Sequence, residues 1–393
     1  MLHLHSPAAR CVWLSTIASV CLLATASVSR ADEMSEQIIW KSGEDGYHTY
    51  RIPALITTPG GTVLAFCEGR KAGRGDSGNI DLLMKRSTDN GRTWSDSVVV
   101  WDDGDNTCGN PCPVIDASTG RIHLLLTWNR GEDDGRELHE GTGEDTRRVF
   151  YCWSDDEGSS WTDPVEITQS VKPDGWAWYA TGPGVGIQLT QGPHKGRLVV
   201  PCDYTTLEGP VHGSHAIYSD DGGKTWQLSE TISPTCNECQ VAELSDGRLL
   251  MSMRTQGARN TPRPYTGYRS IAYSNDGGAT WTDPVADDEL GDPVCQASLI
   301  RYDDRRLLFA NPSPPISPKS GPRNRMTVRV SDDDGHSWPE SRLIHEGPAA
   351  YSCLTRLPDG RVGLLYEAGK KNAYETITLA TFPLDWIAGG DKP

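Results

Sequence analysis

The chain has few basic residues for its length. Lysine and arginine number 37 against 53 aspartates and glutamates, so the formal net charge of the 393 residues is −16. This balance excludes nucleic acids and anionic membrane surfaces as partners bound through bulk electrostatics. An anionic ligand must therefore be bound by a local cluster of arginines.

Helical periodicity is also scarce in this sequence. The chain has 41 glycines and 13 tryptophans, and most of its apolar residues fall in short alternating runs. Runs of this kind are typical of β-strands packed on a core. The sequence therefore predicts an all-β protein.

Apolar runs long enough to cross a membrane are absent after the N-terminal segment. That segment has an apolar run from Cys11 to Ala26, preceded by Arg10 and followed by Ser29-Arg30-Ala31. This order is typical of a cleaved export signal. We predict a signal peptide at residues 1–31 and a secreted or periplasmic mature chain, residues 32–393, without an integral membrane segment. A lipid anchor on Cys21 is the alternative.

Cysteine is too sparse here for a disulfide-held scaffold. Nine of the 11 cysteines follow residue 31, and an odd number leaves at least one unpaired in an oxidising compartment. Two pairs, Cys108 with Cys112 and Cys236 with Cys239, have the spacing of zinc half-sites. Neither is accompanied by a second pair at zinc-finger spacing. A disulfide or buried thiols are therefore favoured over zinc.

One motif, Ser-x-Asp-x-Gly-x-Ser/Thr-Trp, occurs five times. The repeats begin 67, 65, 55 and 57 residues apart, at Ser87, Ser154, Ser219, Ser274 and Ser331. In such a motif the aspartate accepts hydrogen bonds from backbone N–H groups, the glycine takes positive φ and the tryptophan packs between sheets. A calcium loop is the rival interpretation, but the acidic pattern of an EF-hand is missing. We therefore expect these boxes to be structural turns.

A second repeat consists of six hairpins, each with an apolar strand, a turn and a returning strand such as GRLLM. The spacing of 55 to 67 residues between the boxes indicates a propeller or a solenoid. Six hairpins predict a six-bladed β-propeller with four-stranded antiparallel blades over residues 32–393. The ring would be closed by pairing QIIWKS near the N-terminus with a C-terminal strand such as ETITLATF.

Polar residues occupy equivalent places at the open ends of these hairpins. Because the innermost strands of a propeller line its central channel, we expect these residues to converge on one mouth of it. The boxes would then lie on the opposite face. The residues at these positions are Arg51, Glu68, Asn110, Thr127, Asp203, Glu238, Arg254, Tyr351 and Glu367.

The convergent set contains groups suited to binding a carboxylate and to covalent catalysis. Guanidinium groups aimed at one point bind a carboxylate in a bidentate way, and we expect Arg51, Arg254 and Arg323 to do so, with Arg325 or Arg329 as alternatives to the last. A carboxylate such as Glu238 can take the proton of Tyr351 as the phenol oxygen attacks. Asp76, in a glycine-rich loop, can protonate a leaving oxygen and then activate water.

Taken in order, these motifs resemble a known family. Arg51-Ile52-Pro53, the five boxes and the spaced Glu238, Arg254, Arg323 and Tyr351 are similar to the exo-sialidases, or neuraminidases, of the bacterial and animal type. The resemblance runs from about Trp40 to Phe382, nearly the whole predicted mature chain. It implies a retaining hydrolase of terminal α-linked sialic acid on glycans, glycoproteins or glycolipids, with no metal or organic cofactor.

The resemblance also implies a role for each candidate residue. The sialic acid carboxylate would be held by Arg51, Arg254 and Arg323. Tyr351 would be the nucleophile, Glu238 its base and Asp76 the general acid/base. The supporting roles would be orientation of Arg51 by Glu367 and Glu68, contact with the carboxyl or ring oxygens by Arg70, and contact with the side chains of the sugar by Tyr179. Cys236 and Cys239 flank Glu238, a departure from the family that the sequence does not explain.

Three alternatives stay open at this point. A trans-sialidase would use the same residues and differ in its acceptor subsite and water exclusion. A non-catalytic propeller that binds glycans or proteins would have lost the acid or the nucleophile, and here neither is lost. Related 2-keto acids that lack the acetamido group are alternative substrates.

Overall fold

The computed structural model describes residues 1–3, 33–209, 211–256, 266–317 and 321–388. The predicted signal peptide lies outside these ranges apart from residues 1–3. Within them, no helix is both long and apolar enough to span a bilayer.

The described residues form 24 strands, two short helices and one 3-10 turn, so the predicted all-β class is confirmed. The strands are β1 (Ser35–Lys41), β2 (Thr49–Thr57), β3 (Val63–Arg70), β4 (Ile80–Ser87), β5 (Val98–Trp101), β6 (Thr107–Ile115), β7 (Ile122–Asn129), β8 (Arg148–Ser154), β9 (Val165–Glu166), β10 (Trp176–Thr181), β11 (Ile187–Gln188), β12 (Leu198–Thr206), β13 (His212–Ser219), β14 (Gln227–Leu228), β15 (Cys236–Glu243), β16 (Leu249–Thr255), β17 (Tyr268–Ser274), β18 (Val285–Gly291), β19 (Ser298–Arg301), β20 (Leu307–Pro312), β21 (Asn324–Ser331), β22 (Glu340–Arg356), β23 (Val362–Ala368) and β24 (Thr376–Phe382). The helices are α1 (Gly135–Glu140) and α2 (Thr168–Val171), and the 3-10 turn is Leu384–Trp386.

Consecutive strands pair into four sheets. Strands β2 to β9 form one sheet, in which β4 and β6 meet only at the parallel pair Ile80 and Thr107. Strands β10 to β14 form the second sheet and β15 to β18 the third. The fourth contains β19 to β24 and β1, and its 17-residue strand β22 pairs with β21 through its first half and with β23 through its second.

The two ends of the described fold meet in the fourth sheet. Strand β1 pairs antiparallel with β24, from Ser35 opposite Thr381 to Lys41 opposite Thr376. The predicted pairing of QIIWKS with ETITLATF is confirmed.

Each run of consecutive paired strands is called a unit here. Within a unit, the burial of the side chains falls from the first strands to the last. Strands β3 and β15 are buried at every position, whereas β5 and β9 are largely exposed. Because successive side chains of a strand face opposite sides, complete burial means that a strand is covered on both faces. The inner hairpins therefore form the centre of the molecule, and the short last strands form its surface.

The five repeated boxes occupy the turns before the last strand of a unit, as the box at Ser219 illustrates. The Asp221 carboxylate accepts hydrogen bonds from Thr225 N at 2.9 Å and Thr225 Oγ1 at 2.7 Å. Gly223 has φ 81°, and its N–H donates to Ser219 Oγ at 2.8 Å. The buried Trp226 packs edge-on against Tyr151 of the preceding sheet, with ring centroids 5.9 Å apart. The predicted structural role of the boxes is confirmed by these contacts.

Candidate active site

The candidate residues lie at the strand ends opposite the boxes, and irregular strand pairing positions several of them. The pairing register shifts between Arg51 and Ala54 in β2, between Gly109 and Cys112 in β6, between Cys236 and Cys239 in β15, and between Ala349 and Ser352 in β22. A bulge of this kind turns a side chain away from the regular alternation. Arg51 borders the shift in β2. The shifts in β6, β15 and β22 enclose Asn110, Glu238 and Tyr351, respectively.

Tyr351 lies at the centre of the candidate site. Its hydroxyl donates to the Glu238 carboxylate, and Arg254 Nη1 lies 3.3 Å from the same hydroxyl. Arg254 Nη1 also donates to Glu238 Oε2 at 2.7 Å. Phenol, carboxylate and guanidinium therefore form one contact network between strands β15, β16 and β22.

Three guanidinium groups surround this tyrosine. The guanidinium carbon of Arg51 lies 4.9 Å from the centre of the Tyr351 ring, that of Arg323 lies 5.6 Å from it, and Arg254 touches the hydroxyl. Arg323 donates to Val294 O at 2.8 Å and to Tyr374 Oη at 3.3 Å. The structure therefore brings the three predicted arginines together.

The two alternatives to Arg323 have other partners. Arg325 pairs with the exposed Glu346 at 2.6 Å. Arg329 donates to Asn311 Oδ1 at 3.3 Å and to Ser313 Oγ at 2.6 Å. Arg323 is thus the member of this segment that contacts the tyrosine.

The buried carboxylate of Glu367 holds Arg51 in place, as the sequence predicted. It accepts from Arg51 Nε at 3.0 Å and Nη2 at 3.3 Å, and from the backbone N–H groups of Ile52 at 3.0 Å and Tyr351 at 3.1 Å. The ring of Tyr374 packs on the Arg51 guanidinium at 4.4 Å. One side chain therefore fixes both the arginine and the backbone of the tyrosine.

The expected role of Glu68 in orienting Arg51 is wrong. Glu68 lies opposite Arg51 in the strand register, but its carboxylate accepts from Arg70 Nε at 2.9 Å and from Asn110 N at 2.9 Å. A Cβ atom on Gly109 would lie 2.2 Å from Glu68 Oε1. Only a glycine at position 109 lets strand β6 approach the Glu68 carboxylate. This carboxylate therefore orients Arg70 and not Arg51.

Asp76 lies on an exposed loop beside two of the arginines. Its side chain is 58% exposed, and Oδ1 accepts from Arg70 Nη1 at 2.8 Å and from Arg51 Nη1 at 3.5 Å. Loss of solvation would raise the pKa of Asp76, but the charges of Arg70 and Arg51 outweigh it and leave that pKa below its ordinary value. The ligand-free site therefore stabilises Asp76 as a carboxylate.

Tyr351, unlike Asp76, is held in its protonated form. Burial, together with the nearby charge of Glu238, raises the pKa of Tyr351 well above its ordinary value, although the three arginines act against this shift. The phenol is therefore neutral until a base removes its proton during a reaction.

The expected contact of Tyr179 with a ligand is wrong. Tyr179 is 0% exposed and packs against Trp176 at 6.2 Å and His215 at 5.2 Å between ring centroids. The pairing of β10 with β12 shifts register between Trp176 and Tyr179, so both enter the same core cluster while Trp178 stays half-buried. Tyr179 therefore belongs to the core between two sheets.

Two residues of this region were missed in the sequence. Arg147 lies outside the six hairpins, and only its place before the strand β8 could have drawn attention to it. Tyr374 lies in the loop before β24, where no local pattern marks it. Their contacts with Asn110 and Arg51, respectively, become visible only in the fold.

The cysteines of the described chain are all buried. The following have free thiols: Cys67, Cys108, Cys112, Cys152, Cys202, Cys239, Cys295 and Cys353. Among the described residues, no group of three or more histidine, cysteine, aspartate or glutamate side chains is arranged to hold a metal.

Comparisons with known proteins agree with this geometry. Residues 39–364 match the BNR repeat-like domain family. The sialidase of Micromonospora viridifaciens is 36% identical over 90% of this chain, and the exo-alpha-sialidase of Arthroderma benhamiae is 31% identical over 96% of it. The chain belongs to the exo-sialidase family. Members of this family are glycoside hydrolases, and so is this sialidase.

The match extends to solved structures. A Hadza microbial sialidase superposes with a TM-score of 0.78 at 30% identity, covering 90% of this chain and 69% of that one. The chain spans 98% of the Arthroderma sialidase but only 54% of the Micromonospora sialidase.

Replacing Glu367 tests the packing of this site. In Glu367→Ala, Arg51 and two backbone N–H groups lose their acceptor, so we expect the free energy of unfolding to fall by about 3–5 kcal/mol. Urea denaturation followed by tryptophan fluorescence measures this change. The control is Glu346→Ala, which removes an exposed ion pair and should cost less than about 1 kcal/mol. Equal effects in the two variants would contradict the central role of Glu367.

Proposed function

We propose that this chain is a six-bladed β-propeller that acts as an exo-α-sialidase. It removes terminal α-linked sialic acid from glycans, glycoproteins or glycolipids with retention of configuration, and Tyr351 is the nucleophile. The observation that carries the proposal is the contact of the Tyr351 hydroxyl with Glu238 inside a cup of three arginines.

The sheet connections support six blades. Division of the eight-stranded sheet at the single parallel pair between β4 and β6 gives two units of four strands. Division of the seven-stranded sheet within β22 gives two more, the last of which contains β1. With the second and third sheets the total is six, which matches the six hairpins of the sequence.

The arginines supply the recognition step. Guanidinium groups bind carboxylates through paired, charge-assisted hydrogen bonds. Three of them around one point therefore favour a sugar that carries a carboxylate over a neutral sugar. A sialic acid has a carboxylate on its anomeric carbon, C2. Binding of this carboxylate by Arg51, Arg254 and Arg323 places C2 next to the Tyr351 oxygen.

The neutral phenol fits the charge of the substrate. A carboxylate nucleophile would meet like-charge repulsion from the carboxylate on C2, whereas a neutral tyrosine does not. As Tyr351 Oη forms its bond to C2, Glu238 takes the phenol proton and the bond from C2 to the leaving oxygen breaks. Asp76 in its protonated form gives its proton to that oxygen.

The second half of the reaction reverses these transfers. Asp76, now ionised, takes a proton from water as the water oxygen bonds to C2. The bond from C2 to Tyr351 breaks, and Glu238 returns the proton to the phenol oxygen. Two inversions at one carbon give net retention.

We also infer that residues 32–393 form one exported domain. The apolar segment from Cys11 to Ala26 and the cleavage pattern ending at Ala31 support this step. Mass spectrometry of the protein exported by a host cell should find Asp32 as the first residue. An exported chain that still begins at Met1 would contradict this boundary.

Replacing the nucleophile tests the mechanism directly. We expect Tyr351→Phe to lower kcat for a fluorogenic α-sialoside at least about a hundredfold, because the attacking oxygen is lost. Tyr218→Phe is the matched control, since that half-buried tyrosine lies beside a box and its loss should leave kcat unchanged. Asp76→Ala should lose more activity toward sialyllactose than toward the fluorogenic substrate, whose leaving group needs no proton. Wild-type activity in Tyr351→Phe, or a β-configured first product by NMR, would reject the proposal.

The contacts of Asp76 predict a difference between two pH profiles. Arg70 and Arg51 lower the pKa of Asp76 in the free enzyme, whereas an acid catalyst must be protonated. A bound substrate carboxylate offsets the charge of Arg51, so the pKa of Asp76 should rise in the complex. The fall of kcat with increasing pH should therefore lie at higher pH than the fall of kcat/KM.

Sialyllactose is the substrate for this measurement, because its poor leaving group makes the acid-assisted first step limiting. Initial rates across the acidic range give both profiles. A kcat profile that falls at the same pH as kcat/KM, or at a lower pH, would contradict the assigned role of Arg51 beside Asp76.

A further inference from the structure

Tyr374 lies in the loop between strands β23 and β24, beside the candidate site. Its half-buried ring packs on the guanidinium of Arg51, with 4.4 Å between the guanidinium carbon and the ring centre. Its hydroxyl oxygen accepts a hydrogen bond from Arg323 Nη1 at 3.3 Å. One side chain therefore contacts two of the three arginines that we assign to the substrate carboxylate.

The nucleophile contacts the same two arginines in a different way. The guanidinium carbons of Arg51 and Arg323 lie 4.9 and 5.6 Å from the centre of the Tyr351 ring. The Tyr351 hydroxyl, however, is engaged by Glu238 and Arg254. The phenol oxygen that serves Arg323 is therefore that of Tyr374.

Tyr374 also meets an electrostatic need of this pair. Arg51 and Arg323 carry like charges around one point, and like charges repel each other. Glu367 compensates Arg51, with Nε and Oε1 3.0 Å apart. The acceptors of Arg323 are neutral, Val294 O at 2.8 Å and Tyr374 Oη, and no ion pair of Arg323 is found within the described ranges. Because an aromatic face attracts a cation and a phenol oxygen accepts a hydrogen bond from one, Tyr374 stabilises both guanidinium groups.

The loop around Tyr374 holds its ring in place. The backbone oxygen of Tyr374 accepts from Ser42 Oγ at 2.8 Å, and its N–H donates to Asn372 Oδ1 at 2.9 Å. The carboxylate of Glu375 accepts from the N–H groups of residues 370, 371 and 372 at 3.1, 2.8 and 3.2 Å. The protein itself therefore sets the position of the ring before any ligand binds.

We propose that Tyr374 is a positioning residue that holds the guanidinium groups of Arg51 and Arg323 in the geometry that binds the substrate carboxylate. The inference rests on the proposed function. Tyr374 acts through the two arginines and not on the sugar. Because the carboxylate is bound in the ground state and in the transition state alike, loss of Tyr374 should weaken substrate binding more than turnover.

The test measures binding of the 2,3-didehydro analogue of sialic acid, an unreactive ligand that keeps the carboxylate, by isothermal titration calorimetry. In Tyr374→Leu we expect Kd to rise at least about tenfold, the effect of losing one cation–π contact and one hydrogen bond to a charged group. For hydrolysis of sialyllactose, KM should rise by a similar factor while kcat falls less than about threefold. A role in stability alone would reduce the active fraction, which lowers the apparent kcat and leaves Kd and KM unchanged.

Tyr374→Phe is the second variant, and it also serves if Tyr374→Leu does not fold. Phenylalanine keeps the ring on Arg51 and lacks only the oxygen that Arg323 uses. We therefore expect Kd to rise about threefold, to a value between those of the wild-type chain and Tyr374→Leu.

The matched control is Tyr218→Leu. The guanidinium carbon of Arg197 lies 4.2 Å from the centre of the Tyr218 ring, so this variant also removes a tyrosine packed on an arginine, but beside the box that begins at Ser219. Its Kd and KM should equal those of the wild-type chain. Unchanged Kd in a Tyr374 variant that folds overturns the inference. A wild-type chain that neither binds the analogue nor hydrolyses sialyllactose contradicts the proposed function instead.

Discussion

The candidate site depends on one buried carboxylate. Glu367 accepts from the Arg51 side chain and from two backbone N–H groups, although Arg51 is 316 residues away in sequence. Such a group is stable inside a protein only when its charge is paired and its oxygens are hydrogen-bonded. Both conditions are met here, so the position of Arg51 relative to Tyr351 is fixed by the interior and not by a surface loop.

The other charges of the site extend this arrangement. Arg254 has Glu238 as its counter-ion and Arg70 has Glu68, while the phenol of Tyr351 beside Glu238 stays neutral. Arg51, Arg70 and Arg254 are thus each paired with a carboxylate, whereas Arg323 has only the neutral partners Val294 O and Tyr374 Oη. These carboxylates offset part of the mutual repulsion that the clustered guanidinium groups would otherwise suffer.

Much of this could be predicted from the sequence because the relevant signals are local and repeated. The boxes and hairpins fixed the strand order, and equivalent places in those hairpins identified Arg51, Glu238, Arg254 and Tyr351. The errors arose where side-chain direction depends on packing. Glu68 faces a neighbouring strand made accessible by Gly109, and the irregular pairing of β10 with β12 leaves Tyr179 in the core. Arg147 lies outside the repeats, and its partners Thr127 and Asn110 come from the two strands that precede it.

The pairing of β1 with β24 sets the order in which this protein can be completed. Of the described strands, a ribosome makes β1 first and β24 last, so β1 lacks its partner until all the strands between them have been made. An exposed edge of this kind is a template for association with other chains. A chain without β24 would therefore expose unpaired edges on both β1 and β23.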